Sequence, residues 1–311
     1  MKPSATWLLI EDYAGLWSQV LGLAEAAGLP AERRVLRPRG LWRHIAAALW
    51  PAPLTAIAPE ALAPPWPELV IGGGGKAAAV VAALPPGVRR VVVQHPRLPL
   101  RRFDLVIVGR HDGITGPNVI VTRTALHRVT PARLAEAAQA WAPRLAHLPR
   151  PLVAVLVGGA NGRFRLDAAV GGQLAAQLAA MMRRDRVGLA LTPSRRTGPE
   201  VVRELKETLE PLGAMVWDGS GENPYFGMLA LADAIVVTAD SVSMISEAAA
   251  TAAPVLVAPL PGSSRRGAAF LRGLIGDGRV RPYEGRFMHW PVAPLDDTAA
   301  AAEEMCRRLG L

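Results

Sequence analysis

Short apolar runs rich in Val, Ile and Leu alternate along this chain with longer stretches of helical period. Such runs mark strands covered on both faces, and their alternation with helices predicts parallel sheets with helices on either side. In the first half the pattern predicts strands at 6–10, 33–36, 69–71, 90–94, 105–108 and 118–121. Helices are expected at 17–27, 41–50, 76–84 and 132–146, and 51–67 is rich in proline.

After 147–151, where two prolines mark a linker, the pattern restarts. Strands are expected at 152–157, 188–192, 214–217, 234–237 and 254–258. Helices are expected at 171–183, 199–212 and 225–232, beyond the loop 238–243, and at 296–309. The expected fold is α/β: two Rossmann-like doubly wound domains facing a cleft. They would span 1–148 and 149–295, with 296–311 a C-terminal helix that packs back on the first domain.

Composition narrows the function classes. A length of 311 residues suits two domains with full cores. Arginine carries nearly all of the net charge of +9, since the lysines are Lys2, Lys76 and Lys206 alone. Such an excess favours anionic partners. Scattered arginines, an aromatic content of 5% and the lack of a recognition motif argue against nucleic acid. Cys306 is the single cysteine, which excludes an intrachain disulfide and a cysteine-rich metal site. Residues 1–12 read as a first strand rather than a signal peptide, because acidic residues follow a very short apolar stretch. No run of about 18 apolar residues is free of charge and proline, so the cytoplasm is the expected location.

The segment from Ala234 to Ala250 carries the strongest chemical signal. A β-rich run stops at the polar loop 238–243, and a helical pattern follows. Thr, Asp and Ser there are helix N-cap types, and a helix N-terminus outside the carboxyl edge of a sheet is a seat for anions. Ser241 and Ser243 supply hydroxyls. Glu247, one turn inside, suits a pair of sugar hydroxyls. A phosphate seat followed by a hydroxyl acceptor fits a nucleotide or a nucleotide-sugar.

Two more loops would share that edge. Val157-Gly-Gly-Ala-Asn-Gly162 reads either as a pyrophosphate cradle, through Gly158, Gly159 and Asn161, or as a plain structural turn. Thr192-Pro-Ser-Arg-Arg-Thr197 offers Ser194 and Arg195 to a phosphate, or is a solvated loop. Several anion-suited loops on one edge are harder to attribute to coincidence than any one of them. Ligands of open α/β sheets bind on that edge.

In the first half, Ile71-Gly-Gly-Gly-Gly-Lys76 lacks the phosphate-loop spacing because Ala77 follows the lysine. It reads as a tight turn where backbone approaches a ligand or a neighbour. Asp12, at the end of the first strand, is a candidate general base or a helix cap. His95, after another strand, is a base, a hydrogen bonder to the acceptor, or a surface histidine. Within 37–50, Leu41, Trp42, Ile45, Leu49 and Trp50 stand beside basic residues. That pattern suits either a membrane-surface helix or ordinary core packing.

Larger motifs carry a resemblance. They are Asp12-Tyr-Ala-Gly15 with Gln19, Arg101-Arg-Phe-Asp-Leu-Val106, His111-Asp112, Gly116-Pro-Asn118, Ala125-Leu-His-Arg128, Ser194-Arg-Arg-Thr197, Asn223-Pro-Tyr225 and Thr238-Ala-Asp-Ser-Val-Ser-Met-Ile-Ser-Glu247. Together they resemble bacterial members of the mitochondrial-fission family named Elongated Mitochondria. The resemblance implies a GT-B-like architecture over nearly the whole chain and bears on fold more than on reaction. The second half also resembles the donor-binding half of inverting GT-B glycosyltransferases, including the enzyme that adds N-acetylglucosamine to a lipid-linked cell-wall precursor. There a Gly-Gly loop touches the donor diphosphate and a Ser…Glu segment binds phosphate and ribose. The matching positions here are Gly158, Gly159, Ser241, Ser243 and Glu247. The chain departs from many family members at 13–18 and 72–75, where a more polar stretch and a small-polar loop are usual.

The leading expectation is a metal-independent GT-B-type glycosyltransferase whose C-terminal domain binds a nucleotide-sugar donor, with no cofactor beyond it. Asp12 or His95 would deprotonate the acceptor hydroxyl, and positive side chains with helix dipoles would offset charge on the departing diphosphate. The alternative is a non-catalytic adaptor of the same fold that recruits protein or membrane partners. Contact through 37–50 would then hold it peripherally at the inner face of the membrane. A sugar-nucleotide epimerase is the third reading.

Overall fold

The computed structural model describes residues 5–311, so the first four residues of the stretch read as strand rather than signal peptide lie outside the described residues. The chain divides into two compact units, Met1–Arg128 with Asp296–Leu311, and Val129–Leu295. From β1 (Thr6–Ile10) it passes through α1 (Ala14–Ala26), β2 (Ala31–Val35), β3 (Leu69–Gly73), α2 (Gly74–Ala82), β4 (Arg89–Val93) and β5 (Leu105–Gly109) to β6 (Val119–Thr122). The second unit runs from α3 (Pro131–Leu145) and β7 (Leu152–Val157) through α4 (Ala168–Asp185), β8 (Gly188–Pro193), α5 (Pro199–Leu209) and β9 (Met215–Val216). It continues with α6 (Tyr225–Leu231), β10 (Ala234–Thr238), α7 (Val242–Ala249), β11 (Val255–Ala258), α8 (Arg265–Gly276) and β12 (Val280–Pro282). The chain then returns to the first unit with α9 (Thr298–Leu309).

Both sheets are parallel, and their strand orders decide where sites can form. The first sheet is ordered β2-β1-β3-β4-β5-β6, with Thr6 opposite both Ala31 and Leu69. Trp7, Leu9, Val70 and Val92 pack with α2, whereas Leu8, Ile10, Leu69 and Ile71 pack with α1 and α9. The second sheet is ordered β12-β11-β10-β7-β8-β9. Val153, Val155 and Leu191 join α4 and α5, and Ala154, Leu156 and Val237 join α7 and α8. Strands buried on both faces need apolar residues at every position, which is why they read as continuous runs. Each fully buried Val, Leu or Ile contributes about 1.5–3 kcal/mol. The connection reverses direction between β1 and β3 in one sheet, and between β7 and β10 in the other. Crevices open outside the carboxyl ends of strands at such switch points.

Local chemistry sets the helix starts. Thr130, Asp167, Ser241 and Ser264 cap α3, α4, α7 and α8 by accepting from Arg133, Val170, Met244 and Gly267 N–H groups.

The structure corrects three expectations. The segment 41–50 is not one amphipathic helix but two tight turns, Gly40–Arg43 and Ala47–Leu49. Leu49 N–H donates to Ala46 O rather than to Ile45 O, and the Ile45 carbonyl accepts instead from Trp50 Nε1 at 3.1 Å. The expected boundary near residue 148 is displaced, because α3 packs on the second sheet's core through Leu134 and Trp141. Gly227 of α6 lies so close to Trp141 that a Cβ there would stand 2.2 Å from the ring. Finally, α8 and β12 follow β11 where no element was expected. Gly267, Gly273 and Gly276 weaken the helical pattern of α8, and only Phe270 and Leu274 of that helix are buried.

The C-terminal segment is tied to β6 by charge. Arg123 donates to Asp297 through its backbone N–H at 2.6 Å and through its guanidinium. Burial opposes ionisation of Asp297, but the bonds and charge of Arg123 outweigh it and hold the carboxyl below the usual 3.8. A carboxyl depressed in the folded state adds stability that is present above the unfolded value and is lost as pH falls below it. Thermal midpoints measured on acidification below 3.8 should therefore fall less steeply in Asp297→Asn than in the parent. Parallel slopes would remove Asp297 from the acid response.

Candidate functional site

At the switch point of the second sheet the loops after β7, β8 and β10 stand side by side, because their strands are neighbours. Asp240 joins them. Its side chain is 0% exposed. Its Oδ2 accepts from Gly159 N–H at 3.0 Å and from the Arg196 guanidinium at 2.8 Å, and its Oδ1 accepts from Thr238 Oγ1 at 2.7 Å. Thr238 Oγ1 accepts from Gly158 N–H at 2.8 Å. Arg196 also donates to the Gly159 carbonyl at 3.0 Å. The Thr197 hydroxyl donates to the Gly158 carbonyl and accepts from Ser194 N–H at 2.9 Å.

The two glycines are required by these approaches. A Cβ on Gly158 would stand 2.2 Å from both carboxylate oxygens of Asp240, and one on Gly159 would stand 2.2 Å from the Arg196 carbonyl oxygen. The space expected to admit a pyrophosphate thus admits protein groups, and the N–H groups of both glycines donate internally. Asn161 closes its own turn, its Oδ1 accepting from Arg163 and Phe164 N–H at 2.9 and 3.0 Å. Phe164 pairs with Gly262, which joins the β7 loop to the loop after β11.

The loop after β10 leads within three residues into α7. Ser241 is the N-cap of α7, with its Oγ accepting from Met244 N–H at 3.3 Å. Val242 and Ser243 therefore form the first turn of the helix. Glu247 is 7% exposed, one turn inside, and its Oε2 accepts from the Tyr225 hydroxyl at 2.5 Å. Burial, and then the Glu247 charge, pushes the Tyr225 hydroxyl well above its ordinary pKa, so it stays a donor. Tyr225 therefore fixes the Glu247 rotamer. In the β8 loop Arg196 makes the inward ties, while Arg195 is exposed beside the half-buried Ser194.

Sequence reasoning missed the organising residues. Asp240 was legible only as a cap type, yet it bridges all three loops. Arg196 could not be told from its neighbour Arg195. Tyr225 belonged to the Asn223-Pro-Tyr225 motif with no role attached.

In the first unit Asp12 lines a cavity of about 450 Å³ together with Glu11, Tyr13, Leu36, Arg37 and Arg43. It is not the cap of α1, since Tyr13 occupies that position without a side-chain cap bond. Lys76 pairs with Glu11 at 2.7 Å across the β1–β3 switch point. The glycine run approaches a neighbour, because a Cβ on Gly73 would stand 2.7 Å from Ile10 Cγ2. His95 follows β4 and is not among the residues lining the cavity. Its Nδ1 accepts from Arg97 N–H at 3.0 Å within a strained turn, where Gln94 has φ 75° and Arg97 has φ 57°.

Two six-stranded parallel sheets, each flanked by helices and opening loops at its switch point, define an α/β protein of the GT-B class. The UDP-GlcNAc 2-epimerase of Methanocaldococcus jannaschii, solved in complex with UDP-GlcNAc and UDP, superposes with a TM-score of 0.58 at 11% identity, covering 100% of this chain and 99% of that one. MurG of Acinetobacter baumannii superposes with a TM-score of 0.51 at 14% identity, covering 99% and 90%. The chain belongs to the mitochondrial fission ELM1 family, whose model matches residues 14–309. The mitochondrial fission protein ELM1 of Arabidopsis thaliana is 37% identical over 246 residues, which are 70% of this chain and 57% of that protein. Protein RP120 of Rickettsia prowazekii (strain Madrid E) is 27% identical over 206 residues, 55% of this chain and 57% of that one. The chain thus matches 57% of the length of each of these curated relatives. Among the described residues no helix is long and apolar enough to cross a membrane.

Proposed function

We propose that the second unit binds a nucleotide-sugar and that the chain is a metal-independent GT-B-type glycosyltransferase acting on an acceptor hydroxyl. The observation that carries this reading is the meeting of three strand-end loops at one switch point, with the buried Glu247 carboxylate one turn inside α7. The leading N–H groups of α7, the Ser241 and Ser243 hydroxyls, Ser194 and the exposed Arg195 are the donors for a diphosphate. Gly158 and Gly159 shape the floor of that seat rather than lend it their N–H groups. Asn161 offers its Nδ2 donors, its Oδ1 being used. Glu247, one turn inside α7, accepts ribose hydroxyls. Arg195 and the α7 dipole offset charge on the departing nucleotide, the job a metal does elsewhere. Asp12, on the wall of the first unit's cavity, takes the acceptor proton, and His95 is the other candidate base.

UDP and UDP-GlcNAc, present in the solved epimerase, are the first ligands to try. Calorimetry should detect binding, and Glu247→Ala should weaken it by about 1.5–3 kcal/mol, roughly ten- to a hundredfold. Unchanged affinity in Glu247→Ala removes that role, and no heat with any nucleotide or nucleotide-sugar rejects the reading.

A second reading, the non-catalytic adaptor, is supported by one observation. The backbone donors of Gly158 and Gly159 are spent on Thr238 and Asp240. It predicts no product from any sugar donor, with or without acceptors. Transfer, or epimerisation of the donor alone, would overturn it.

A further inference from the structure

Between β2 and β3 the chain forms a lobe outside the sheet. Its ends are pinned together, since Arg39 N–H donates to the Ala56 carbonyl at 2.8 Å and Ala58 N–H to the Arg37 carbonyl at 3.1 Å. The tryptophans turn inward. Trp50 is buried, and Trp42 meets it edge-on with ring centroids 6.3 Å apart. The aliphatic side chains turn outward. Leu41 is 78% exposed and Leu49 73%, with Ile45, Ala46 and Ala48 exposed between them. Of the two readings of this segment, core packing holds for the tryptophans, while the leucines hold the surface.

Charge is sorted with equal bias. From Arg33 to Pro59 the sequence contains five arginines and one histidine and no acidic residue. Arg37, Arg39, Arg43 and His44 are exposed around the leucines. Exposed aliphatic tips ringed by guanidinium groups complement a bilayer with anionic headgroups. The tips enter the acyl boundary while the guanidiniums meet phosphates. A second copy of the chain would oppose the same arginines to one another, and like charges resist that pairing.

We propose that the lobe at 37–50 docks this protein on an anionic lipid surface, with Leu41, Ile45 and Leu49 inserted and Arg37, Arg39 and Arg43 on the headgroups. Tyr13, itself exposed, lines the adjoining cavity with Arg37 and Arg43, so the docked edge borders Asp12. The proposal is independent of the nucleotide reading.

The full chain should co-sediment with vesicles of equal parts phosphatidylglycerol and phosphatidylcholine, and far less with pure phosphatidylcholine. Binding should weaken as salt rises, because screening at 0.15 M acts within about 8 Å. The double variant L41S/L49S and the single variant R39E should each lower the partition coefficient by about tenfold or more. Unaltered circular dichroism and thermal midpoint would show that these surface changes leave the fold intact. If the double variant does not fold, R39E and the salt series decide alone. No binding of the parent to anionic vesicles, or equal binding by folded variants, overturns the proposal. So does light scattering that shows self-association abolished by L41S/L49S, because a second copy would then cover the face.

Discussion

Replacing Asp240 by alanine is expected to destabilise the second unit by about 2–4 kcal/mol. The carboxylate is fully buried and accepts from a backbone N–H, a hydroxyl and a guanidinium. Its removal leaves the Gly159 N–H and the Thr238 hydroxyl without their acceptor. Arg196 is partly exposed and regains hydration, which keeps the loss below that of a wholly buried ion pair. For a unit of this size the midpoint should drop by about 5–15 °C in calorimetry. Asp240→Asn keeps the shape and should fall by less. Gly159→Ala attacks the same junction from the other side, since its Cβ meets the Arg196 backbone. A midpoint for Asp240→Ala within about 2 °C of the parent would mean that the three loops hold together without it.

The second large effect is expected at Arg279. This side chain is buried after α8, and it donates to the carbonyls of Ala248, Ala249, Thr251 and Ala253 at and beyond the C-terminal end of α7. Those carbonyls include orphans that every helix end leaves, and a cation there also complements the helix dipole. Burial lowers the guanidinium to about 10, so it remains protonated at neutral pH. Arg279→Met keeps much of the volume but strands several acceptors, and should cost about 3–4 kcal/mol. Arg279→Lys should recover part of that, because a point charge with three donors satisfies fewer of the carbonyls. The consequence reaches function. If α7 holds a nucleotide through Ser243 and Glu247 as proposed, a loosened C-terminus should also weaken that affinity in calorimetry at a temperature where the variant is folded. A midpoint for Arg279→Met unchanged from the parent would show that water or backbone shifts satisfy those carbonyls as well.

Much of the architecture was legible because it rests on local period. The strand at 152–157 was read to the residue, since Leu152-Val-Ala-Val-Leu-Val157 has no polar position to interrupt it. A polar loop followed by helix was also legible at 238–243, because Ser241 is a cap type where the apolar run stops, although β10 extends to Thr238 and α7 already begins at Val242. Local period failed at 41–50. Apolar residues spaced for a helix there serve two destinations, tryptophans inward and leucines outward, so no single face of a helix could bury them. It failed at α8, where glycines dilute the pattern and two residues alone are buried. It also assigned α3 to the wrong unit, because a helix's own sequence says which face is apolar and not which sheet will cover it.

The sequence by itself determined the alternation of strands and helices, the two parallel sheets and the set of loops that end on each carboxyl edge. Hydrophobic burial and capping are decided within a few residues of chain. Tertiary structure alone decided what those loops do with their hydrogen bonds. Strand order sets β7 between β10 and β8, so Asp240 and Arg196 arrive from distant segments to claim the Gly158 and Gly159 junction, and Tyr225 arrives to hold Glu247. A donor's direction depends on which neighbour packs beside it, and that neighbour is chosen by the fold of the whole unit.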